Sequence, residues 1–313
     1  MNPNHDTGRK PSLAVLGAGF IGLNFVRYAT KAGLKVHVLD RSPPPPDVAG
    51  KVEWTTGELA QRDDVARALD GVDTVFHLVS STVPGDQVDI ALELKENVFQ
   101  TLQLLDMCVE RGIRRLIFSS SAAVYGIQST LPIAESASTD PISAHGIHKL
   151  TIEKYLQLYR HQHKLDCKIL RLSNPFGPGQ AIHGRQGFIA IAIGNIVSGQ
   201  PIRIRGDGND VRDFIYIDDV CQALLRAALT ESQESLFNIG SGVGTSLNGV
   251  VAQMNDLIGS SLNVEHTPSR FVDIPKSILD ISRARRVLNL DMPRSLRQGL
   301  KQTLAHHGVP QVL

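Results

Sequence analysis

A glycine-rich segment near the start of the chain constrains the fold more than any other feature. Residues 17–22 read GAGFIG; an apolar run at 13–16, typical of a buried strand, precedes them, and a helical pattern follows. In such a segment Gly17 permits a tight turn, Gly19 lets backbone approach a pyrophosphate, and Gly22 lets the helix pack close to the strand. The helix N-terminus adds free N–H groups and the positive end of the helix dipole. The segment therefore predicts a strand–turn–helix site for a dinucleotide.

The second predicted strand, residues 35–39, ends at an acidic residue. Asp40 lies 18 residues after Gly22, where a carboxylate in this kind of site bonds the ribose 2′-hydroxyl. Because a carboxylate there repels a 2′-phosphate, Asp40 favours NAD over NADP. Arg41 leaves NADP as an alternative, since an arginine at this position can bind the 2′-phosphate.

Composition and charge are those of a globular protein of 313 residues. Hydrophobic residues make up 42% of the chain, and a net charge of +1 gives no electrostatic reason to expect nucleic acid or an anionic membrane as a partner. The three cysteines are isolated and have no metal-ligand spacing, which predicts buried thiols in a reducing compartment. No apolar run reaches the length of a membrane span. We therefore expect residues 1–11 to be a disordered lead-in and the protein to be cytoplasmic.

Strand-like and helical segments alternate along the first half of the chain. Strand patterns occur at 52–54, 74–79, 116–118 and 167–172, and helical patterns occur at 63–69, 90–109 and 143–163. This alternation predicts an α/β fold with a Rossmann-type, doubly wound parallel sheet over residues 12–173. Glycine and proline then cluster and the elements become shorter. Residues 174–313 are predicted to form a smaller mixed α/β substrate domain, from which some segments, such as 237–240, return to the first sheet.

Several further motifs occur in a fixed order along nearly the whole chain. They are HLVS at 77–80, SSSAAVYG at 119–126, RLSNPFGPG at 171–179, GDGNDVRDFIYIDDV at 206–220, FNIGSG at 237–242 and RFVDI at 270–274. Together with the glycine motif, they resemble the extended short-chain dehydrogenase/reductase family, in its branch of nucleotide-sugar epimerases and dehydratases. The resemblance implies that bound NAD takes hydride from a sugar carbon, usually C4, while a base takes the hydroxyl proton, so that a transient ketone forms.

One catalytic position departs from the family pattern. The family uses Ser or Thr followed by Tyr-x-x-x-Lys; the serine matches Ser121 and the lysine matches Lys149, but His145 stands at the tyrosine position. An imidazole of pKa near 6.5 can act as a base without the help that a phenol needs. Four residues on a helix return to the same face, so His145 and Lys149 can point together. Two alternatives stay open: the change removes catalysis and leaves cofactor binding, or His148 shares the proton transfer.

The residues after the serine narrow the reaction. Family 4,6-dehydratases carry an Asp-Glu pair there, whereas this chain has Ala122 and Ala123, which cannot act as acid or base. Dehydration is thus disfavoured, and C4 epimerisation or reduction of a 4-keto sugar remains.

The resemblance also implies a set of binding residues. For NAD these are Gly17, Gly19, Phe20, Ile21, Gly22, Asp40, Arg41, Glu58, Leu59, Leu78, Asn97, Lys149 and Ser173. For the nucleotide sugar they are Ser121, Asn174, Arg212, Arg270 and Asp273, with the two arginines on the diphosphate. No metal is expected. Family members usually form homodimers through two long helices, which match residues 90–110 and 145–163.

These observations lead to one prediction with two alternatives. The chain is predicted to be a cytoplasmic NAD-dependent nucleotide-sugar 4-epimerase, acting on a UDP-hexose for cell-surface polysaccharide assembly. The alternatives are a 4-keto-sugar-nucleotide reductase and a binding-only protein that has lost catalysis.

Overall fold

The computed structural model of the chain describes residues 11–80, 89–184, 186–268 and 274–312. Apart from Pro11, the predicted lead-in lies outside these residues. The strands are β1 (Ser12–Leu16), β2 (Lys35–Asp40), β3 (Glu53–Thr56), β4 (Thr74–His77), β5 (Arg115–Ser121), β6 (Asp166–Leu172), β7 (Asn174–Phe176), β8 (Ile202–Arg205), β9 (Val211–Tyr216), β10 (Leu236–Ile239), β11 (Gly244–Ser246), β12 (Val264–Thr267) and β13 (Lys276–Ser277). The helices are α1 (Phe20–Lys31), α2 (Arg62–Ala68), α3 (Ile90–Leu94), α4 (Gln100–Glu110), α5 (Ala144–His163), α6 (Phe188–Val197), α7 (Ile217–Leu229), α8 (Leu247–Ile258), α9 (Ser282–Leu288) and α10 (Leu296–His306).

A parallel sheet organises the described residues. Its strand order is β10-β6-β5-β4-β1-β2-β3, and every neighbouring pair is parallel. The order reverses between β1 and β4, and in doubly wound sheets ligands bind at this switch point, outside the carboxyl ends of the strands. The predicted Rossmann-type fold class is confirmed, and β10 pairs with β6 at one edge of the sheet.

Strand β1 is buried on both faces because helices cover each side of the sheet. Leu13 and Val15 pack in the same cluster as Phe25 of α1, whereas Ala14 and Leu16 pack with side chains of α4 and α5. The alternation follows from the two-residue period of a strand. The continuous apolar run at the start of the chain therefore places the glycine turn at the switch point.

The helix predicted at 90–109 contains a turn that its sequence pattern did not indicate. Residues Lys95–Phe99 form a π-helical turn between α3 and α4. The Asn97 side chain donates to the Glu93 carbonyl at 2.7 Å, and the Thr101 hydroxyl donates to the Asn97 carbonyl. Such side-chain bonds compete with the regular backbone ladder, and π turns of this kind are frequent at functional sites.

Shorter strands form a second layer beyond the end of β6. Strand β9 pairs with β7, β11 and β13, and β8 pairs with β12. Because β7 follows β6 after one residue, the chain passes directly from the large sheet to this smaller one.

The predicted burial of the three thiols is confirmed. Cys108, Cys167 and Cys221 are free and buried, and burial raises the pKa of the Cys167 thiol to about 12. Within the described ranges, no helix combines the length and apolar character that crossing a bilayer requires.

A buried ion pair fastens α5 to the sheet. The Glu153 carboxylate accepts two hydrogen bonds from the Arg171 guanidinium, at 3.0 and 2.6 Å, and both side chains are buried. The Ser120 hydroxyl of β5 also donates to Glu153. A bidentate, further hydrogen-bonded pair of this kind tolerates burial, whereas loss of one partner leaves an uncompensated charge.

We expect Glu153→Ala to reduce the free energy of unfolding by about 3–5 kcal/mol, because Arg171 then remains charged and buried without its carboxylate. Urea denaturation measures the change. The matched control is Glu110→Ala, which breaks the exposed Arg62–Glu110 pair and should cost about 0–1 kcal/mol. Equal losses in the two variants would contradict the assignment.

Candidate active site

The glycine turn has a backbone that requires glycine at its first position. Gly17 has φ +94°, and a Cβ there would lie 2.9 Å from the Val79 amide nitrogen. Its own N–H donates to the Leu39 carbonyl at 2.9 Å. The turn after β1 is thus held between the ends of β2 and β4, with no room for a side chain.

Gly22 and Gly19 serve different purposes. A Cβ on Gly22 would lie 1.9 Å from the Gly17 carbonyl oxygen, so glycine lets the helix start against the turn itself. A Cβ on Gly19 would meet nothing within 4 Å, and Gly19 precedes α1 without any side-chain cap. The space over Gly19 and the uncapped N–H groups suit a pyrophosphate. Phe20 and Ile21, also predicted cofactor contacts, lie half-buried in the first turn of α1.

Asp40 sits directly beside this turn. Its carboxylate accepts the Ala18 N–H at 2.7 Å and the Ser42 N–H at 2.8 Å, and the side chain is half-buried. A carboxylate fixed by backbone donors retains lone pairs for a ribose hydroxyl. Arg41 is exposed.

Other predicted cofactor residues reach the same edge of the sheet. The Leu78 N–H donates to the Leu16 carbonyl, and the Gly57 N–H donates to the Asp40 carbonyl, both at 2.9 Å.

The next two predicted cofactor residues follow Gly57 directly. Glu58 is exposed and donates its backbone N–H to Asp64, while Leu59 is buried. The structure therefore brings these predicted NAD-binding residues together around the turn after β1. This arrangement supports dinucleotide binding.

The first turn of α5 rests against the end of β5. Ser143 caps the helix by accepting the Gly146 N–H at 3.2 Å, and a Cβ on Gly146 would lie 2.6 Å from the Ala123 carbonyl oxygen. Ser121 ends β5, and its hydroxyl accepts the Ala123 N–H at 3.2 Å. Glycine at 146 thus brings the helix turn that carries His145 next to the segment that follows Ser121.

Lys149 lies one turn further along α5. Its ammonium donates to the Ser119 carbonyl at 2.8 Å and lies 4.7 Å from the centre of the Phe118 ring. Burial lowers the pKa of Lys149 to about 8, and the Glu153 carboxylate partly opposes the shift. The ammonium is therefore fixed at the carboxyl end of β5.

The environment of His145 differs from the sequence-based expectation of a pKa near 6.5. Partial burial lowers the pKa of His145 to about 3, and the charge of Lys149, together with that of His148 when it is protonated, adds to the effect. The imidazole is neutral at pH 7. Its unprotonated nitrogen can accept a proton. The resulting imidazolium is unfavourable in this environment, so it readily releases the proton again.

Two buried side chains near the first turns of α5 lie against other residues. His148 is buried, and its Nδ1 lies 3.8 Å from an oxygen of Glu93 on α3. The Tyr125 hydroxyl is buried and bonds the Asn238 amide oxygen at 2.6 Å. Shared proton transfer by His148 therefore remains an untested alternative.

Besides Ser121 on β5, two predicted substrate residues, Asn174 and Arg212, lie on β7 and β9. The Asn174 amide donates to the Asp213 carbonyl at 3.0 Å, and the half-buried Arg212 lies 3.5 Å from Asp210. Ser173, which was predicted to bind NAD, lies between β6 and β7 and donates its N–H to the Ile239 carbonyl at 2.9 Å. Two other predicted substrate residues, Arg270 and Asp273, lie outside the described residues.

Comparisons with known proteins agree with the fold and the turn. Residues 13–240 match the model of the NAD dependent epimerase/dehydratase family. A UDP-glucose 4-epimerase of Mycolicibacterium smegmatis is 31% identical over 79% of this chain and 82% of its own length.

Two solved structures extend the likeness. The UDP-glucose 4-epimerase of Thermotoga maritima with UDP-glucose has a TM-score of 0.86 at 30% identity, covering 95% of this chain and 98% of the other. The Thermus thermophilus UDP-glucose 4-epimerase with NAD has a TM-score of 0.87 at 28% identity, covering 94% and 98%.

The sheet order and the glycine turn define a Rossmann-type dinucleotide-binding enzyme fold. The chain belongs to the NAD-dependent epimerase/dehydratase family, and it is an enzyme chain of the extended short-chain dehydrogenase/reductase type.

The two glycines of the turn separate cofactor binding from folding. We expect Gly19→Ala to weaken NAD binding at least about tenfold, or roughly 1.4 kcal/mol, because its methyl group fills the open space over the turn. Its cost in stability should stay below about 1 kcal/mol, the difference between glycine and alanine at an N-cap. Gly22→Ala should instead reduce the free energy of unfolding of the cofactor-free protein by about 1–3 kcal/mol. Titration calorimetry and urea denaturation measure the two effects. Identical behaviour of both variants would rule out this division.

Proposed function

We propose that the protein is an NAD-dependent nucleotide-sugar 4-epimerase that acts on a UDP-hexose. The observation that carries the proposal is the docking of α5, which bears His145 and Lys149 one turn apart, at the carboxyl end of β5: Gly146 lies against Ala123, and Lys149 donates to the Ser119 carbonyl. The family match and the UDP-glucose 4-epimerase relatives support the same reaction.

The cofactor fits the residues of the glycine turn. Gly19 and the start of α1 would hold the pyrophosphate, Asp40 the adenosine ribose, and Lys149 the ribose on the nicotinamide side. When bound, the cofactor would supply a hydride acceptor in its oxidised form and a hydride donor in its reduced form.

Side chains of the protein accept the proton of the sugar hydroxyl and later return it. In the proposed cycle Ser121 holds the sugar hydroxyl, and the neutral imidazole of His145 accepts its proton as the C4 carbon is oxidised. The low pKa of His145 then favours return of the same proton to the keto oxygen. Because the resting imidazole is neutral, the site is ready to take a proton first, which is the order that epimerisation requires.

The same protonation state distinguishes the proposed reaction from its alternatives. Reduction of a 4-keto sugar begins with donation of a proton to the keto oxygen, whereas epimerisation begins with removal of a proton, and the lowered pKa of His145 favours acceptance over donation at rest. A dehydratase needs an acid and a base after the serine, where Ala122 and Ala123 stand. Epimerisation is therefore favoured by the chemistry of the described residues.

Two arginines and two further polar residues complete the proposed site. Arg212 and Arg270 would hold the diphosphate, Asn174 the sugar nucleotide and Asp273 its ribose, as the family resemblance implies. We further propose that the enzyme acts in the cytoplasm and supplies sugar units for cell-surface polysaccharide.

A homodimer is part of the proposal. Large apolar side chains are exposed on the two helical segments that the family uses for dimers: Leu94 and Phe99 between residues 90 and 110, and Ile147 and Leu158 on α5. Pairing of two copies would bury these side chains in one four-helix interface.

We expect His145→Gln to lower kcat for C4 epimerisation by about 100-fold to 10,000-fold, because the base is lost, while NAD and UDP still bind. His145→Tyr should retain turnover, since it restores the family pair with Lys149. The matched control is His161→Gln, at an exposed position of the same helix, with unchanged turnover. A coupled assay for the epimer measures each rate; full activity in His145→Gln would exclude His145 as the base.

The pH dependence provides a separate check. The pKa of His145 is depressed to about 3, so the neutral base persists as pH falls through 6.5. The pKa of Lys149 is depressed to about 8, so its charge is lost as pH rises through 8. We expect kcat/KM, which reports the free enzyme, to stay constant from pH 6 to about 7.5 and to fall above about 8. An acid limb centred near 6.5 would show an ordinary histidine base and contradict this account.

A further inference from the structure

Asp213 is a fully buried carboxylate whose two oxygens are both occupied. One oxygen, Oδ1, accepts the backbone N–H and the hydroxyl of Ser241, each at 2.7 Å. The other, Oδ2, accepts the N–H groups of Gly242 at 3.1 Å and Leu279 at 3.2 Å. Burial raises the pKa of Asp213, and these four donors oppose the rise. Hydrogen-bond donors from two segments that are distant in sequence, residues 241–242 and Leu279, thus meet at the Asp213 carboxylate.

The motif FNIGSG is shaped around this carboxylate. A Cβ on Gly240 would lie 2.4 Å from Asp213 Oδ2, so glycine is required for the carboxylate to enter. Ser241 and Gly242, the next two residues, supply three of the five hydrogen bonds that the Asp213 carboxylate accepts, and the others come from Leu279 and the Ser173 hydroxyl. The aspartate of the motif VRDF and the glycine of NIGSG therefore form one structural unit.

This unit lies where the large sheet meets the smaller one. The Ser173 hydroxyl, just beyond β6, lies 3.4 Å from Asp213 Oδ1, and the Asn174 amide donates to the Asp213 carbonyl at 3.0 Å. Strand β10, which leads into Gly240, is the edge strand of the large sheet. Arg212 precedes Asp213 on β9. One carboxylate thus joins the end of the large sheet to the strand that carries the proposed diphosphate ligand.

We propose that Asp213 is a positioning residue for the nucleotide sugar: it locks β9 against the turn after β10, and so fixes Arg212 and Asn174 relative to the cofactor half. This inference rests on the proposed function, since it concerns the same substrate site. Asp213 acts through these neighbours and does not touch the reacting atoms.

The donor pattern makes even a conservative change disruptive. In Asp213→Asn one oxygen becomes an NH2 group, which cannot accept, and it faces N–H donors on either side of the carboxylate. At least one backbone N–H loses its acceptor, and buried unpaired groups of this kind are costly. The strand and turn must therefore shift apart.

The test compares binding of two probes, UDP and NAD, by titration calorimetry of the full chain. For Asp213→Asn we expect UDP affinity to fall about tenfold or more, with NAD affinity within about twofold of the unaltered protein. The matched control, Asp256→Asn, makes the same change at an exposed carboxylate of α8 and should alter neither. If Asp213→Asn does not fold, Ser241→Ala decides: it removes one hydroxyl donor, keeps the backbone donors, and should weaken UDP binding about threefold.

The outcomes separate this inference from the proposed function. UDP binding by the unaltered protein, with unchanged UDP affinity in folded Asp213→Asn or in Ser241→Ala, would overturn the role of Asp213 alone. Equal losses of UDP and NAD affinity would show a general structural role and would also overturn it. Absence of UDP binding in the unaltered protein would instead contradict the proposed substrate class and, with it, the inference built on that class.

Discussion

The attachment of α5 to the carboxyl end of β5 determines the geometry of the candidate site. Three successive residues of the strand take part: Ser119 accepts from Lys149, Ser120 donates to Glu153, and Ser121 ends the strand beside the first turn of the helix. The backbone of Gly146 touches the segment that follows. A histidine at the start of α5 is therefore held on a rigid element, as precise proton transfer requires.

The same attachment explains how a histidine there differs from a phenol. A tyrosine must lose a proton to become a base, and a nearby ammonium helps it to do so. A histidine is already a base when neutral, and burial beside Lys149 keeps it neutral. The ammonium that activates a phenol thus opposes the charged form of an imidazole. In the proposed cycle, this exchange would make the base weaker and its conjugate acid stronger, which would suit a proton that is returned within the same cycle.

Much of the fold follows from local sequence patterns. The apolar run before Gly17 and the alternation of strands and helices were enough to predict the doubly wound sheet, because burial on both faces and the connections between parallel strands leave few other arrangements. The glycine spacing located the turn. In contrast, the π turn at Asn97 depends on side-chain bonds to Glu93 and Thr101, which a periodic pattern does not encode.

Properties of the candidate site that depend on contacts between residues far apart in the sequence could not be predicted from the sequence. The low pKa of His145 comes from burial by the assembled fold, so its residue type alone suggested an ordinary histidine. Asp213 draws its donors from Ser241, Gly242 and Leu279, which lie far along the chain. The motifs that contain Asp213 and Gly240 were visible in the sequence, but their contact appears only after β9 and the end of β10 meet.

In the proposed function, the site that contains His145 catalyses reversible oxidation at C4 of the sugar. The most direct measurement is proton NMR of the purified protein with NAD and UDP-glucose that carries deuterium at C4. We expect UDP-galactose to appear with the deuterium still at C4 and without net conversion of NAD to NADH. Absence of the C4 epimer, although UDP-glucose and NAD both bind, would contradict the account.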